Sequence, residues 1–337
     1  MKLTVAQAIE LGSHLIPTNR PFLMIGPPGV GKTDAARQMA ENTKRRLFVS
    51  HPAVDDPSDY KGFAMFQNGE ANFYPLGQMR KIIECTEPAI WFIDDIGQAP
   101  IATQNGIMQY IHHRSRALGD LTIPEHISIV AATNRREDNA GVVGMTDPLK
   151  GRWVTMVEIV ADVAGWVKWA IAKSVDPLIL GYIHYRPENL SQFEPNRSFD
   201  MSPTPRGWEH VNELLKLPVE DTLMHALLKG AIGEHVSTEF MQFRKILDEL
   251  PDLDEIERNG RGAQLPQTNQ ANYAIVGALS IRGTVSRTLE QVMHYIRRLP
   301  GEYRVLWSEI WAQKNENMLH SKEWTEWAIE HKDLLTL

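Results

Sequence analysis

The stretch GPPGVGKT at residues 26–33, directly behind the apolar run PFLMI at 21–25, decides how this chain is read. It matches G-x-x-x-x-G-K-[ST] in the context that pattern requires, a buried strand before it and a helix beginning at Lys32 or Thr33 after it. Gly26, Gly29 and Gly31 let the backbone curl so that its N–H groups turn inward on a chain of phosphates, and the helix N-terminus adds its dipole. The cradle is therefore Gly26, Pro27, Pro28, Gly29, Val30, Gly31, Lys32 and Thr33. Within it, Lys32 is expected to reach the β- and γ-oxygens of a nucleotide and Thr33 to ligate Mg²⁺.

A second constellation lies some sixty residues on. AIWFIDD at 89–95 ends an apolar strand in two carboxylates, at the end where ligands of an open α/β sheet bind. Asp94 is read as the Mg²⁺-associated acid and Asp95 as the group that orients an attacking water. An apolar run closing on Asp-Asp is by itself more often a strand and a turn; behind a phosphate loop the chemical reading gains weight.

The rest of the composition bounds the answer. The chain has 337 residues, 43% hydrophobic and 23% charged, which excludes disordered and collagen-like classes. A net charge of −7 weighs against binding polyanions by bulk charge, and the only basic clusters of note are RRLFVSH and HHRSR. Cys85, the one cysteine, allows no internal disulfide, which fits a reducing cytoplasm. No apolar run approaches the length of a membrane span, so a soluble, cytoplasmic protein without membrane insertion is expected. His51, His112, His113 and His126 lack acidic or cysteine partners at metal spacing and are read as ordinary polar histidines.

Residues 3–16 have roughly helical apolar spacing, and LFVS (47–50), AIWFI (89–93), ISIVAA (127–132) and WVTMVEIV (153–160) read as buried strands alternating with helices. That alternation implies a parallel sheet covered by helices on both faces. Asn68-Gly69 within 62–77 and Gly119-Asp120 within 114–124 predict two β-hairpins inserted in it. From about residue 161 helical spacing takes over, in AGWVKWAIAK, TPRGWEHVNELLK, DTLMHALLKGAIGEHVSTEFMQFRKIL, ANYAIVGALSIR, SRTLEQVMHYIRRL and SKEWTEWAIEHKDLL. Polar, Pro-rich loops are expected between them, over ENLSQFEPNRSFDMSPT and PDLDEIERNGRGAQLPQTNQ. Trp307, Trp311, Trp324 and Trp327 recur at helical steps and are read as core.

With these elements placed, residues from about 5 to 215 resemble an AAA+ ATPase of the MoxR type. HPAVDDPSDYKGF (51–63) is similar to that family's segment opening its second helix, and the two hairpins resemble its helix-2 insert and its insert before sensor 1. VAATNRRED (130–138) resembles sensor 1, with Asn134 as the polar residue; DPLKGRW (147–153) is similar to the arginine-finger segment, which points to Arg152; SPTPRGW (202–208) is similar to sensor 2, which points to Arg206. An arginine at a helix start, with Thr204 as cap and Pro205 in the first turn, suits an anion nearby.

The resemblance implies a P-loop AAA+ core over 1–160 and, over 161–337, a helical lid with a C-terminal helical extension. It further implies ATP and Mg²⁺ as ligands, a homo-oligomeric ring of six, and a protein client, one with a von Willebrand A domain among the candidates. Asp95, Asn134, Arg152 and Arg206 are its expected catalytic residues, and Thr33 and Asp94 its metal ligands. One position departs: the family usually has Glu where this chain has Asp95, one methylene shorter. A nucleotide-gated scaffold that hydrolyses weakly is therefore one alternative, and a nucleic-acid-stimulated motor on the same core is another.

Overall fold

The computed structural model of the chain describes residues 2–67, 69–112, 115–138, 141–193, 200–246 and 250–332. They fall into two compact units, one of the residues up to Asp162 together with Phe193, the other of the remaining residues from Val163 on.

The first unit holds strands β1 (Lys2–Thr4), β2 (Phe22–Ile25), β3 (Arg46–Ser50), β4 (Phe63–Gln67), β5 (Glu70–Tyr74), β6 (Ala89–Ile93), β7 (Ala117–Leu118), β8 (Leu121–Thr122), β9 (Ile127–Thr133) and β10 (Thr155–Val160). Six of them form one sheet in the order β1-β10-β2-β9-β6-β3, every neighbouring pair parallel. A parallel sheet with both faces covered favours near-continuous apolar strands, and β6 and β9 are buried throughout, Ser128 and Thr133 of β9 included.

Alternate side chains go to opposite faces. Leu23, Trp91, Ile93, Ile129 and Ala131 enter one core with Met79, Ile82, Ile107 and Tyr110, while Phe22, Met24, Ile90, Phe92 and Val130 enter another with Ala8, Ala35, Ala36 and Met39. The second core is thus roofed by helices α1 (Val5–Leu15) and α2 (Lys32–Asn42). After α3 (Pro57–Lys61), the first is roofed by α4 (Gly77–Ile83) and α5 (Ile101–Ile111).

The expected helix over 3–16 starts later, at Val5. The hydroxyl of Thr4 accepts from Gln7 N (3.2 Å) while the Gln7 side chain accepts from Thr4 N (3.0 Å), a reciprocal cap that stops the helix and leaves Lys2–Thr4 to pair with β10. The strand expected from 153 begins at Thr155, because Trp153 N still bonds Lys150 O, closing the turn after α6 (Asp147–Lys150). Both hairpins are present as antiparallel pairs, β4 with β5 and β7 with β8. Gly69 and Gly119 take the positive φ (86° and 59°) that such tight turns require. Asn68, His113 and Arg114, and with the last two part of the HHRSR cluster, lie outside the described residues.

The second unit is helical: α7 (Val163–Ala172), α8 (Pro177–Tyr185), α9 (Pro205–Leu214), α10 (Asp221–Ile232), α11 (Glu234–Lys245), α12 (Leu253–Asn259), α13 (Asn269–Leu279), α14 (Ser286–Ile296), α15 (Gly301–Lys314) and α16 (Lys322–Glu330). The long run from Asp221 divides at Gly233, whose φ is +84° and where a Cβ would lie 2.3 Å from Met201 O. In the stretch read as a loop over 251–270, α12 forms instead. Asp252 caps it through Asp254 N (2.9 Å), Ile256 is buried beneath it, and Arg282 binds both Asp254 (2.6 Å) and Glu257 (2.9 Å). The four tryptophans are core: Trp307 and Trp311 stack at 5.6 Å, Trp311 and Trp324 at 4.8 Å, and Trp327 meets Trp307 edge-on at 5.3 Å. Among the described residues no helix is long and apolar enough to cross a membrane.

Candidate phosphate-binding site

The site is assembled at the C-terminal ends of three adjacent strands, β2, β9 and β6. Gly26 N donates to Thr133 O (3.2 Å), which extends the β2–β9 pairing by one bond before the chain turns away. A Cβ at Gly26 would stand 2.7 Å from Ile159 O of β10, so only glycine lets the turn lie this close to the neighbouring strand. Gly29 and Gly31 have φ of +74° and +106°, and Gly31 leads straight into α2.

Lys32 is 7% exposed, and its ammonium group spends three donors on three acceptors: Gly26 O (2.8 Å), Pro27 O (3.0 Å) and Asn134 Oδ1 (2.8 Å). A buried ammonium must be paired or hydrogen-bonded to stay charged, and here loop carbonyls and an amide do this. The same three donors are the ones that phosphate oxygens would engage.

One turn further, the Thr33 hydroxyl donates to Asp94 Oδ2 (2.8 Å), bringing α2 to the end of β6. Asp94 is 7% exposed, and its other oxygen accepts from Asp95 N (3.1 Å). Asp95 takes a left-handed backbone conformation, φ 56° and ψ 35°, which turns the chain sharply out of the strand. Its carboxylate accepts from Asn134 Nδ2 (3.2 Å), so the Asn134 amide bridges Lys32 on one side and Asp95 on the other.

A hydroxyl and a carboxylate held 2.8 Å apart are hard oxygen donors of the kind that Mg²⁺ takes from a protein, its remaining positions going to water and phosphate. With the curled loop and the buried ammonium, the residues present fit a nucleotide triphosphate with its metal.

Sequence reasoning missed the residues that fix the Asn134 loop. Arg135 grips Asp138 through Nη2 and Oδ1 (2.7 Å) and approaches Glu158 of β10 (3.6 Å); the Asp138 side chain is 1% exposed. Hydrogen bonding to Asp138 raises the Arg135 pKa further. The i, i+3 spacing of Arg135 and Asp138 was the available signal.

The other two expected catalytic residues are arginines, one in each unit. Arg152 follows α6 and is half-buried, with its Nε buried and unpaired among the described residues. Arg206 belongs to the second unit and is exposed on the first turn of α9, where Thr204 Oγ1 accepts from Gly207 N (3.0 Å) and Pro205 takes the first helical position. Of the histidines, His126 Nε2 lies 2.7 Å from Cys85 O.

Residues 21–152 match the family model of the AAA domain, dynein-related subfamily. No curated protein matches this chain. Among solved structures it is similar to NtrX of Brucella abortus in complex with ATP, at 18% identity over 75% of this chain with a TM-score of 0.40. It spans 60% of the NtrX chain. It is also similar to the Thermotoga maritima RuvB Holliday junction branch migration motor, at 18% identity over 76% of this chain and 77% of that one, with a TM-score of 0.38. The parallel sheet, the phosphate loop behind its central strand and the matched segment together make the first unit a P-loop fold of the AAA+ type, with an AAA domain at residues 21–152.

Proposed function

We propose that this chain is a MoxR-type AAA+ ATPase that binds ATP with Mg²⁺, assembles as a ring of six and uses hydrolysis to remodel or activate a protein partner. The observation that carries the reading is the convergence of Lys32, Thr33, Asp94, Asp95 and Asn134 at the ends of β2, β6 and β9. Lys32 exchanges its carbonyl partners for phosphate oxygens and neutralises charge on the γ-phosphate. Thr33 and Asp94 hold the metal, which when bound draws charge from the β- and γ-oxygens. Asp95 and Asn134 orient the water for in-line attack, and Asp95 takes up a proton from it. Arg152, offered to a neighbouring subunit, and Arg206 supply the remaining positive charge, roles that rest on the resemblance of their segments.

A second reading has its own observation. Asp95 is short for the water-orienting role and its carboxylate is engaged by Asn134 at 3.2 Å, which favours a nucleotide-gated scaffold with little turnover. Light scattering alongside phosphate release, with ATP and Mg²⁺, separates the two. The ATPase reading expects a ring near six subunits that turns over, with kcat lowered about 10²- to 10⁴-fold in Asp95→Asn and the ring retained. A ring without turnover in the native protein favours the scaffold; nucleotide binding without any assembly refutes the ring.

A further inference from the structure

Ser50 closes β3, on the far side of β6 from the phosphate loop, and its backbone and side chain face two different structures. Its carbonyl accepts from Asp94 N (2.9 Å), the backbone of the residue whose carboxylate is paired with Thr33. Its hydroxyl, 4% exposed, accepts from Trp91 Nε1 (2.9 Å) and Gln78 Nε2 (3.3 Å). It also lies near enough to the Tyr60 phenol to act on that group's pKa, lowering it against the rise that burial and Asp55 cause. A hydroxyl has one hydrogen and two lone pairs, so the indole and the amide take both lone pairs and the hydrogen remains for the Tyr60 side.

The partners are the two roots of the β4–β5 hairpin. Tyr60 lies in α3, three residues before β4 begins; Gln78 lies in α4, four residues after β5 ends. Each root is fixed again nearby: the Tyr60 phenol donates to Asp55 Oδ2 (2.5 Å), the Tyr60 carbonyl accepts from Tyr110 OH (2.7 Å), and Gln78 Nε2 also donates to Val49 O (2.5 Å). The roots meet closely, since a Cβ at Gly62 would lie 2.5 Å from Tyr74 O. A two-stranded hairpin is marginal alone, so its orientation is set by what holds its base.

We propose that Ser50 is a positioning residue that ties Asp94 to both roots of the β4–β5 hairpin, so that nucleotide occupancy at Asp94 is transmitted to the hairpin through the end of β3, with the Ser50 carbonyl at one side and its hydroxyl at the other. The inference rests on the nucleotide-binding reading above. Occupancy at the Thr33–Asp94 pair shifts the end of β6, the Asp94–Ser50 bond passes the shift to the end of β3, and the serine hydroxyl moves Tyr60 and Gln78 together. The coupling is reciprocal, so the same contacts make hairpin position bear on nucleotide affinity.

Hydrogen exchange of the amides at 63–67 and 70–74 in the full-length protein, with and without ATP and Mg²⁺, tests this beside an equilibrium measurement of ATP affinity. In the native protein, ATP is expected to change hairpin exchange by at least about fivefold. In Ser50→Ala most of that change is lost, while ATP still binds. Gln78→Met, which keeps the chain length and removes one donor, is expected to weaken the response in the same direction and decides the matter should Ser50→Ala fail to fold. A full response in either variant overturns the coupling, as does a hairpin indifferent to ATP that demonstrably binds. Failure of the native protein to bind ATP overturns the nucleotide reading, and the coupling with it, and the affinity measurement tells the two failures apart.

Discussion

Asp95 shows how one residue serves two constraints. A left-handed conformation costs an ordinary L-residue about 1–2 kcal/mol, and aspartate is among the few non-glycine residues that visit it routinely. At φ 56° the chain leaves β6 at once, which places the carboxylate beside Asn134 and the preceding Asp94 beside Thr33. A different residue matters for pH. His184 on α8 has its Nε2 buried without a partner among the described residues, and burial lowers its pKa from 6.5 to about 4. The unfolded chain therefore binds a proton below about pH 6.5 that the folded chain refuses until about pH 4, so stability falls as pH drops through that window. Urea unfolding at pH 7 and pH 5 is expected to differ by about 2 kcal/mol from this group, and the difference should vanish in His184→Leu. An equal pH dependence in that variant would assign it to other groups.

At the scale of the element, caps and turns decide boundaries more than apolar spacing does. Thr204 and Pro205 start α9 as their chemistry dictates, with the Thr204 hydroxyl on Gly207 N. Thr204→Ala should destabilise the second unit by about 1 kcal/mol in chemical denaturation, with a larger loss if the chain entering α9 also shifts. The strands β3, β6 and β9 and both hairpins were legible in the sequence, because buried runs and Asn-Gly or Gly-Asp turns are local signals. β1 was not, since three residues carry no period and Lys2–Thr4 become a strand only by pairing with β10, more than 150 residues away. Nor was α12, whose single turn or two of polar sequence is held by Arg282 from beyond α13. Gly233 was visible as a residue but not as a break, because its need for φ +84° comes from the Met201 carbonyl beside it.

Across the whole molecule the same division holds for the site. The phosphate loop and the Asp94–Asp95 pair are contiguous motifs and could be read directly. Asn134 was found by resemblance, since nothing local announces a side chain that must meet Lys32 at a separation of 102 residues. Ser50 was missed because a serine ending a buried strand is unremarkable until Trp91, Gln78 and Tyr60 are seen around it. Two compact units also give ligand binding a local thermodynamic address. ATP with Mg²⁺ at about 100 times Kd should stabilise the protein by about 2.7 kcal/mol, seen as a rise in Tm that Lys32→Ala abolishes. An undiminished rise in that variant would place the ligand elsewhere. The tryptophan stack has an optical consequence. Indole rings 4.8 and 5.6 Å apart share their electronic excitations, and their fixed tilts of 24° and 26° make that sharing handed. Near-ultraviolet circular dichroism from these rings is thus a built-in gauge of how the C-terminal helices pack, needing no attached dye. Trp91 and Trp153 report in the same way from a core of the first unit, so the two signals can be separated by replacing one set or the other with phenylalanine.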